Sequence, residues 1–115
     1  MYFYENFEFM VNLQITRNNL ELIRSGKKKC EWRHPSVYNK KLLFCDRGDG
    51  KRDGNPDIKE ITFINGYRKD CEKLKVEVLG IRLVKFIKDI VIADDNFSAK
   101  AEQFAIEIKL GNIIN

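Results

Sequence analysis

Long apolar segments, prolines and glycines are all scarce in this chain. Its 115 residues include two prolines and seven glycines, too few for a disordered or linker-rich protein. No apolar run approaches the ~20 residues that a membrane-spanning helix requires. The opening stretch, MYFYENFEF, carries two acids and no base, which is not the pattern of a secretory signal peptide. We therefore expect one globular domain over residues 1–115, no membrane partner and a cytoplasmic location.

Cysteine and histidine are also sparse. The three cysteines, Cys30, Cys45 and Cys71, are an odd number without a Cys-x-x-Cys spacing, so we expect reduced, unpaired thiols. His34 is the only histidine, whereas a structural zinc site needs four nitrogen or sulfur ligands in a tetrahedron. The sequence therefore predicts no bound metal and no other cofactor.

Negative charge is nearly missing from one segment of the chain. Residues 24–41 hold seven Lys or Arg and a single acid, Glu31. The formal net charge of the whole chain is only +4, so the positive excess lies entirely in this segment. Localised positive charge raises the local concentration of an anionic partner.

Two elements are predicted ahead of the basic segment. The apolar residues of FEFMVNLQI alternate, which predicts a strand with one apolar face made by Phe7, Phe9, Val11, Leu13 and Ile15. The stretch Asn18–Ser25 predicts a short helix capped by Asn18, with Leu20 and Ile23 on one face. Gly26 is the predicted stop of this helix.

The stretch SGKKKCEWR, residues 25–33, follows directly. It predicts a turn and then a second strand at about Lys29–Arg33. Cys30 and Trp32 share one face of that strand, and Lys29, Glu31 and Arg33 share the other. We expect Trp32 to pack in the core. The triple lysine fits either a solvated charge run or a site that holds an anion.

The second half of the chain predicts further strands. KLLFC, residues 41–45, fits a strand or a short helix, and Asp46–Asp57 reads as a polar loop. EITFI predicts a strand that ends at the turn pair Asn65-Gly66. The alternation of KLKVEVLG slips at Gly80, as at a bulge, and resumes with Ile81 and Leu83. FAIEIKL predicts a closing strand with four inward residues, Phe104, Ile106, Ile108 and Leu110.

These elements together indicate the fold class. Five or six strands with one early helix, and no alternation of strands and helices, favour a small mixed β-barrel over a parallel sheet. We therefore predict a mainly β α+β fold with one or two short helices.

Three stretches of the chain resemble the ASCH domain family of the PUA-like superfamily. SGKKKCEWR is similar to the family signature Gly-x-Lys-x-x-Glu-x-Arg, ITFINGYRKD to a strand that ends in Asn-Gly-Tyr, and FAIEIKLGNII to the closing strand. They occur in the family order and span about residues 7–114. The resemblance implies a PUA-like β-barrel with a cleft beside the motif. It also implies RNA or a nucleotide as the partner.

The resemblance and the chemistry of the motif together suggest a set of site residues. A lysine supplies a point charge for phosphate, and Arg33 supplies a planar fork that fits a phosphate or a base edge. Glu31 can accept a hydrogen bond from the amino group of a base. Glu31 can alternatively hold Lys28 and Arg33 in place. The candidate binding residues are Gly26, Lys27, Lys28, Glu31, Arg33, Tyr38, Asn65, Tyr67 and Arg68, with Tyr38 and Tyr67 as the stacking candidates.

An enzyme and a protein-interaction module are the alternatives. One branch of the family resembles an amidohydrolase that acts on N4-acetylcytidine through a lysine, a threonine three residues later and a distant glutamate. Lys28 falls on the lysine position, but Glu31 occupies the threonine position, so the hydroxyl nucleophile is missing. Another branch is similar to ribonucleases, for which Lys28, Glu31 and Arg33 are the candidate catalytic residues. A module that binds only protein would need none of these roles.

Overall fold

The computed structural model describes residues 11–46, 52–92 and 97–114. Over these ranges the chain is a mainly β α+β fold, as predicted. The elements in chain order are β1 (Asn12–Gln14), α1 (Arg17–Arg24), β2 (Cys30–Arg33), α2 (Val37–Leu43), β3 (Phe44–Asp46), β4 (Arg52–Gly54), β5 (Glu60–Asn65), β6 (Glu72–Lys85), β7 (Ile90–Ile92), β8 (Phe97–Ala99) and β9 (Phe104–Ile114). Phe7 and Phe9 lie outside the described residues.

The described ranges contain more elements than the sequence predicted. Short strands account for the difference, since β3, β4, β7 and β8 have three residues each, too few for alternation to stand out. KLLFC is divided between the end of α2 and the start of β3. The prediction of a continuous polar loop at Asp46–Asp57 is wrong, because β4 lies inside it and pairs with β3.

Five strands form one sheet, in the order β1-β5-β6-β9-β2, which curls into a half-barrel. β1 runs parallel to β5, and the other neighbours are antiparallel. The register between β6 and β9 shifts on both sides of Val78. This irregularity confirms the bulge predicted near Gly80, and it lets the long strand β6 bend between two partners.

The core lies inside the curled sheet and under α1. The predicted alternation of β1 is confirmed, since Val11, Leu13 and Ile15 are buried while Asn12 and Gln14 are exposed. Buried side chains of the same core come from most other elements: Leu20, Ile23, Leu43, Phe44, Ile58, Ile61, Phe63, Leu74, Val76, Val78, Ile106, Ile108 and Leu110. Leu83 and Phe104 were predicted to point inward, but they are 42% and 46% exposed. Phe104 lies at the end of the β6–β9 pair, opposite Lys85, whereas Leu83 is partly exposed although it lies opposite the buried Ile106.

A second, smaller core forms on the opposite face of β2, β6 and β9. Its buried residues are Phe97, Ala99 and Ala105. Trp32 packs here as predicted, with its ring centroid 5.5 Å from Phe86 and 6.1 Å from Phe97. The β7–β8 pair covers this face, so the sheet has apolar contacts on both sides.

The N-cap of helix α1 lies two residues earlier than predicted. Its N-cap is Thr16, whose hydroxyl accepts a hydrogen bond from the Asn19 backbone at 3.3 Å. The prediction of Asn18 as the cap is therefore wrong. Leu20 and Ile23 are buried, as expected.

The predicted stop at Gly26 is confirmed by the geometry of the helix end. Gly26 has a φ of +80°, and its backbone N–H donates to the Ile23 carbonyl at 3.0 Å. The backbone N–H of Lys27 donates to the Leu22 carbonyl, also at 3.0 Å. This pair of bonds is the Schellman motif, which needs a residue in the left-handed region.

Gly26→Ala is expected to lower the free energy of unfolding by about 1 kcal/mol, because a left-handed backbone is strained for alanine. Gly80→Ala is the matched control. A Cβ at either glycine meets no atom within 4 Å, but only Gly26 has a left-handed φ. Chemical denaturation of both variants measures the difference. Equal losses at the two positions would contradict this account of the helix end.

The described part of the chain contains no helix that is long and apolar enough to cross a membrane. No disulfide joins Cys30, Cys45 or Cys71, as predicted.

Candidate functional site

The charged face of β2 points toward the main core. Residues paired directly across a sheet project to the same side, and Glu31 is paired with Ile108 while Arg33 is paired with Ile106. Both isoleucines are fully buried in the main core, and Glu31 itself is only 3% exposed. A carboxylate therefore occupies a position that an apolar residue would ordinarily fill.

Two cations compensate the buried Glu31 carboxylate. Its Oε1 lies 3.2 Å from Lys28 Nζ, and its Oε2 lies 2.6 Å from Arg33 Nη2. Arg33 Nε donates a second bond to Oε2 at 2.8 Å. The Lys28 side chain is 3% exposed. The Lys28 ammonium is thus buried against Glu31, which is the arrangement expected if Glu31 holds Lys28 in place.

Arg33 also links the two edge strands of the sheet. Its Nη2 donates to the backbone carbonyl of Gln14, at the end of β1, at 2.6 Å. β1 and β2 are the first and last strands in the sheet order. The Glu31–Arg33 pair thus connects the edges where the half-barrel comes closest to closing. Within the described part of the chain, Arg33 Nη1 makes no hydrogen bond.

The end of β1 is held from the other side by the β5–β6 connection. Asn65 Nδ2 donates to the Ile15 carbonyl at 2.8 Å, and the Gly66 backbone donates to Gln14 Oε1 at 3.3 Å. Gln14 and Ile15 are therefore fixed between Arg33 and the Asn65-Gly66 turn. Asn65, a predicted binding residue, supports this rim.

A pocket of about 310 Å³ lies beside the buried carboxylate. The ends of β1 and β2, the start of α1, helix α2 and β8 all contribute to it. Its lining residues are Gln14, Ile15, Thr16, Asn19, Glu31, Trp32, Arg33, His34, Asn39 and Phe97. This volume is at the small end of ligand pockets, which span roughly 300–1,000 Å³.

The lining combines polar groups with aromatic rings. Gln14, Asn19 and Asn39 carry amides, and each amide can both donate and accept. The exposed ring of His34 stacks on Phe97 with the ring centroids 4.7 Å apart and the planes 27° apart. Asn39 Nδ2 donates to the His34 carbonyl at 2.8 Å, which fixes the segment that enters α2.

The charge of the lining is balanced. Glu31 is the only acidic residue in the lining and Arg33 the only Lys or Arg, and the two are paired with each other. An isolated phosphate would meet the Glu31 carboxylate here, and both nearby cations, Lys28 and Arg33, are already paired with that carboxylate. A flat, neutral group with several donors and acceptors suits the pocket better, because amides can satisfy its edge and rings can cover its face.

The predicted site residues separate into three groups. Glu31 and Arg33 line the pocket, and Lys28 and Asn65 support it from behind or from the rim. Gly26 and Lys27 follow the end of α1, about 12 Å along the helix from its start at the pocket. Tyr38, Tyr67 and Arg68 are exposed and do not line the pocket.

Sequence reasoning missed most of the lining. The lining residues that were not among the candidate binding residues include Gln14, Thr16, Asn19, His34, Asn39 and Phe97. One feature was available: Asn19 lies four residues before Ile23 and next to Leu20, so it falls on the buried face of α1. A polar residue on an apolar helix face is a sign of a buried polar site. The other residues come together only through the curl of the sheet.

No group of three or more His, Cys, Asp or Glu residues that could hold a metal ion occurs among the described residues. Comparison of the chain with family models, with curated proteins and with solved structures finds no match. The ASCH resemblance therefore stays a prediction, and the geometry of the pocket has to carry any functional argument.

Proposed function

We propose that this protein binds RNA or a nucleoside by holding one base in the pocket beside Glu31 and Arg33. The observation that carries the proposal is the buried Glu31 carboxylate, fixed by two cations at the edge of a small polar pocket. Burying the charged side chains of Lys28 and Glu31 is costly and adds little stability over an apolar core. A functional role in recognition explains why such a group occupies a core position.

Each class of group in the pocket matches a part of a nucleobase. The Glu31 carboxylate accepts from an exocyclic amino group or a ring N–H, and Arg33 Nη1 donates to a carbonyl or ring nitrogen. The asparagine and glutamine amides add donors and acceptors along the edge. His34, supported by Phe97, offers a ring on which a base can stack.

The ASCH resemblance supports the same ligand class from the sequence side. Its motif contributes Glu31 and Arg33, which are the two motif residues that line the pocket. The partner that we propose is therefore RNA or a nucleoside, in the manner of an ASCH-like, PUA-like domain. Turnover of an acetylated cytidine, or shortening of an RNA, would instead assign the site to the enzymatic alternatives.

His34→Ala is expected to weaken nucleoside binding roughly 5- to 100-fold, because a stacked base is worth about 1–3 kcal/mol. The side chain is exposed, so the fold should persist. Titration of the four common nucleosides and N4-acetylcytidine, with product analysis of each mixture, measures both affinity and turnover. Phe104→Ala removes an exposed ring outside the pocket and serves as the control. Equal affinity of the His34 and Phe104 variants would contradict stacking at His34.

A further inference from the structure

Helix α2 presents two chemically different sides. Leu43 is fully buried and Leu42 packs against the main core, while Asn39 lines the pocket. At 100° per residue, these three lie on one side of the helix. The other side carries Val37, Tyr38, Lys40 and Lys41, and all four are exposed. We call these four residues the α2 face.

The α2 face combines positive charge with exposed apolar surface. Val37 is 72% exposed and Tyr38 is 67% exposed. No acid occurs between Glu31 and Asp46 in the sequence, and neither Lys40 nor Lys41 forms an ion pair with any described residue.

Some exposed cations elsewhere have acidic partners. Arg17 and Arg24 both pair with Glu72, at 2.9 and 2.6 Å, and Lys85 pairs with Glu102 at 2.7 Å. Their charges are locally compensated, whereas no acid among the described residues pairs with Lys40 or Lys41. A polyanion is attracted most strongly to cations that have no carboxylate beside them.

We propose that the α2 face binds the nucleotides next to the base in the pocket, as part of a single-stranded RNA. Tyr38 stacks one base, and Lys40 and Lys41 neutralise backbone phosphates. This inference rests on the proposed function, since the pocket fixes one base and Asn39 joins it to the α2 face. Arg33, the cation of the pocket lining, is already paired with Glu31, so a basic surface outside the pocket is the better source of phosphate contacts.

The turn after β5 provides an internal comparison. Tyr67 is 93% exposed, and Arg68 and Lys69 beside it are exposed too. Asp70 follows at once, so the positive charge of this turn is partly cancelled. The α2 face is the better match to RNA, and the turn serves as the matched control.

The test compares a nucleoside with a single-stranded RNA of about eight nucleotides, a length within the range bound by small single-strand modules. In the unmodified protein the RNA should bind more tightly than the nucleoside. Its affinity should fall with salt along a log–log slope of about −0.7 for each phosphate neutralised. Lys40→Ala with Lys41→Ala should make that slope shallower by about 1.4. Tyr38→Ala should weaken RNA binding roughly fivefold or more, and nucleoside affinity should stay unchanged in both variants.

Two results would overturn the proposal that the α2 face binds RNA. One is an RNA that binds no more tightly than the nucleoside. The other is a loss of RNA affinity in the turn variants that equals the loss in the α2-face variants. The turn variants are Tyr67→Ala and the double variant Arg68→Ala with Lys69→Ala. If RNA binds through the α2 face while no nucleoside binds, the result supports RNA binding by the α2 face and contradicts base binding in the pocket. If neither probe binds, both proposals fall.

Discussion

Glu31→Gln is expected to lower the free energy of unfolding by about 3–5 kcal/mol, the usual cost of removing one partner from a buried ion pair. The glutamine has nearly the same shape, but it leaves the Lys28 ammonium, 3% exposed, without its opposite charge. It also weakens the Arg33 pair that connects β2 to β1. Chemical denaturation followed by tryptophan fluorescence measures the change, since Trp32 is the only tryptophan.

Two variants control for this result. Glu102→Gln breaks the Lys85–Glu102 pair, whose side chains are 49% and 70% exposed, and should change stability by less than about 1 kcal/mol. The double variant Lys28→Met with Glu31→Gln should lose less stability than the two single variants lose in sum, because no uncompensated ammonium remains. A small effect of Glu31→Gln alone, similar to that of Glu102→Gln, would refute a buried, charged Glu31.

Arg33→Lys is expected to lower stability by about 2–3 kcal/mol although the charge is kept, because bonds to charged groups are lost. The guanidinium bonds Glu31 through two nitrogens and reaches the Gln14 carbonyl at the same time. A lysine ammonium is a point charge and cannot reproduce this fork. Nucleoside affinity should fall about tenfold or more, since the donor to the base edge and the fixed pocket rim are lost together.

The matched control is Arg82→Lys. Arg82 also forms a pair with a glutamate, Glu107, but it lies on an exposed part of β6. The same substitution there should leave both stability and nucleoside affinity nearly unchanged. Equal effects at Arg33 and Arg82 would mean that the geometry of the Arg33 fork has no special role.

The alternating strands were predictable because period-two patterns record which side of a strand is buried. Leu74, Val76 and Val78 lie inward as their spacing indicated, and the slip near Gly80 marks the bulge. The same rule failed at Phe104 and Leu83. Phe104 begins β9, at the end of its pairing with β6, and Leu83 is partly exposed although its partner across the sheet, Ile106, is buried.

The candidate site was only partly predictable, for two physical reasons. The sequence of β2 puts charged and apolar residues on opposite faces, but it does not say that the charged face points inward. That orientation depends on the pairing of Glu31 with Ile108. The pocket also needs residues far apart in sequence, such as Gln14, Asn39 and Phe97, which meet through the curl of the sheet.

The most direct test of the central claim is a titration of isotope-labelled protein with nucleosides, followed by the backbone amide resonances. The account predicts saturable shifts concentrated at Thr16, Asn19, His34 and Asn39, which surround the Glu31–Arg33 pocket. The reference region is a second pocket of about 240 Å³ that Gly54, Asn55 and Ile81 help to line, where no shifts are expected. Shifts at that second pocket alone, or none with any nucleoside, would contradict the claim that the pocket beside Glu31 binds a base.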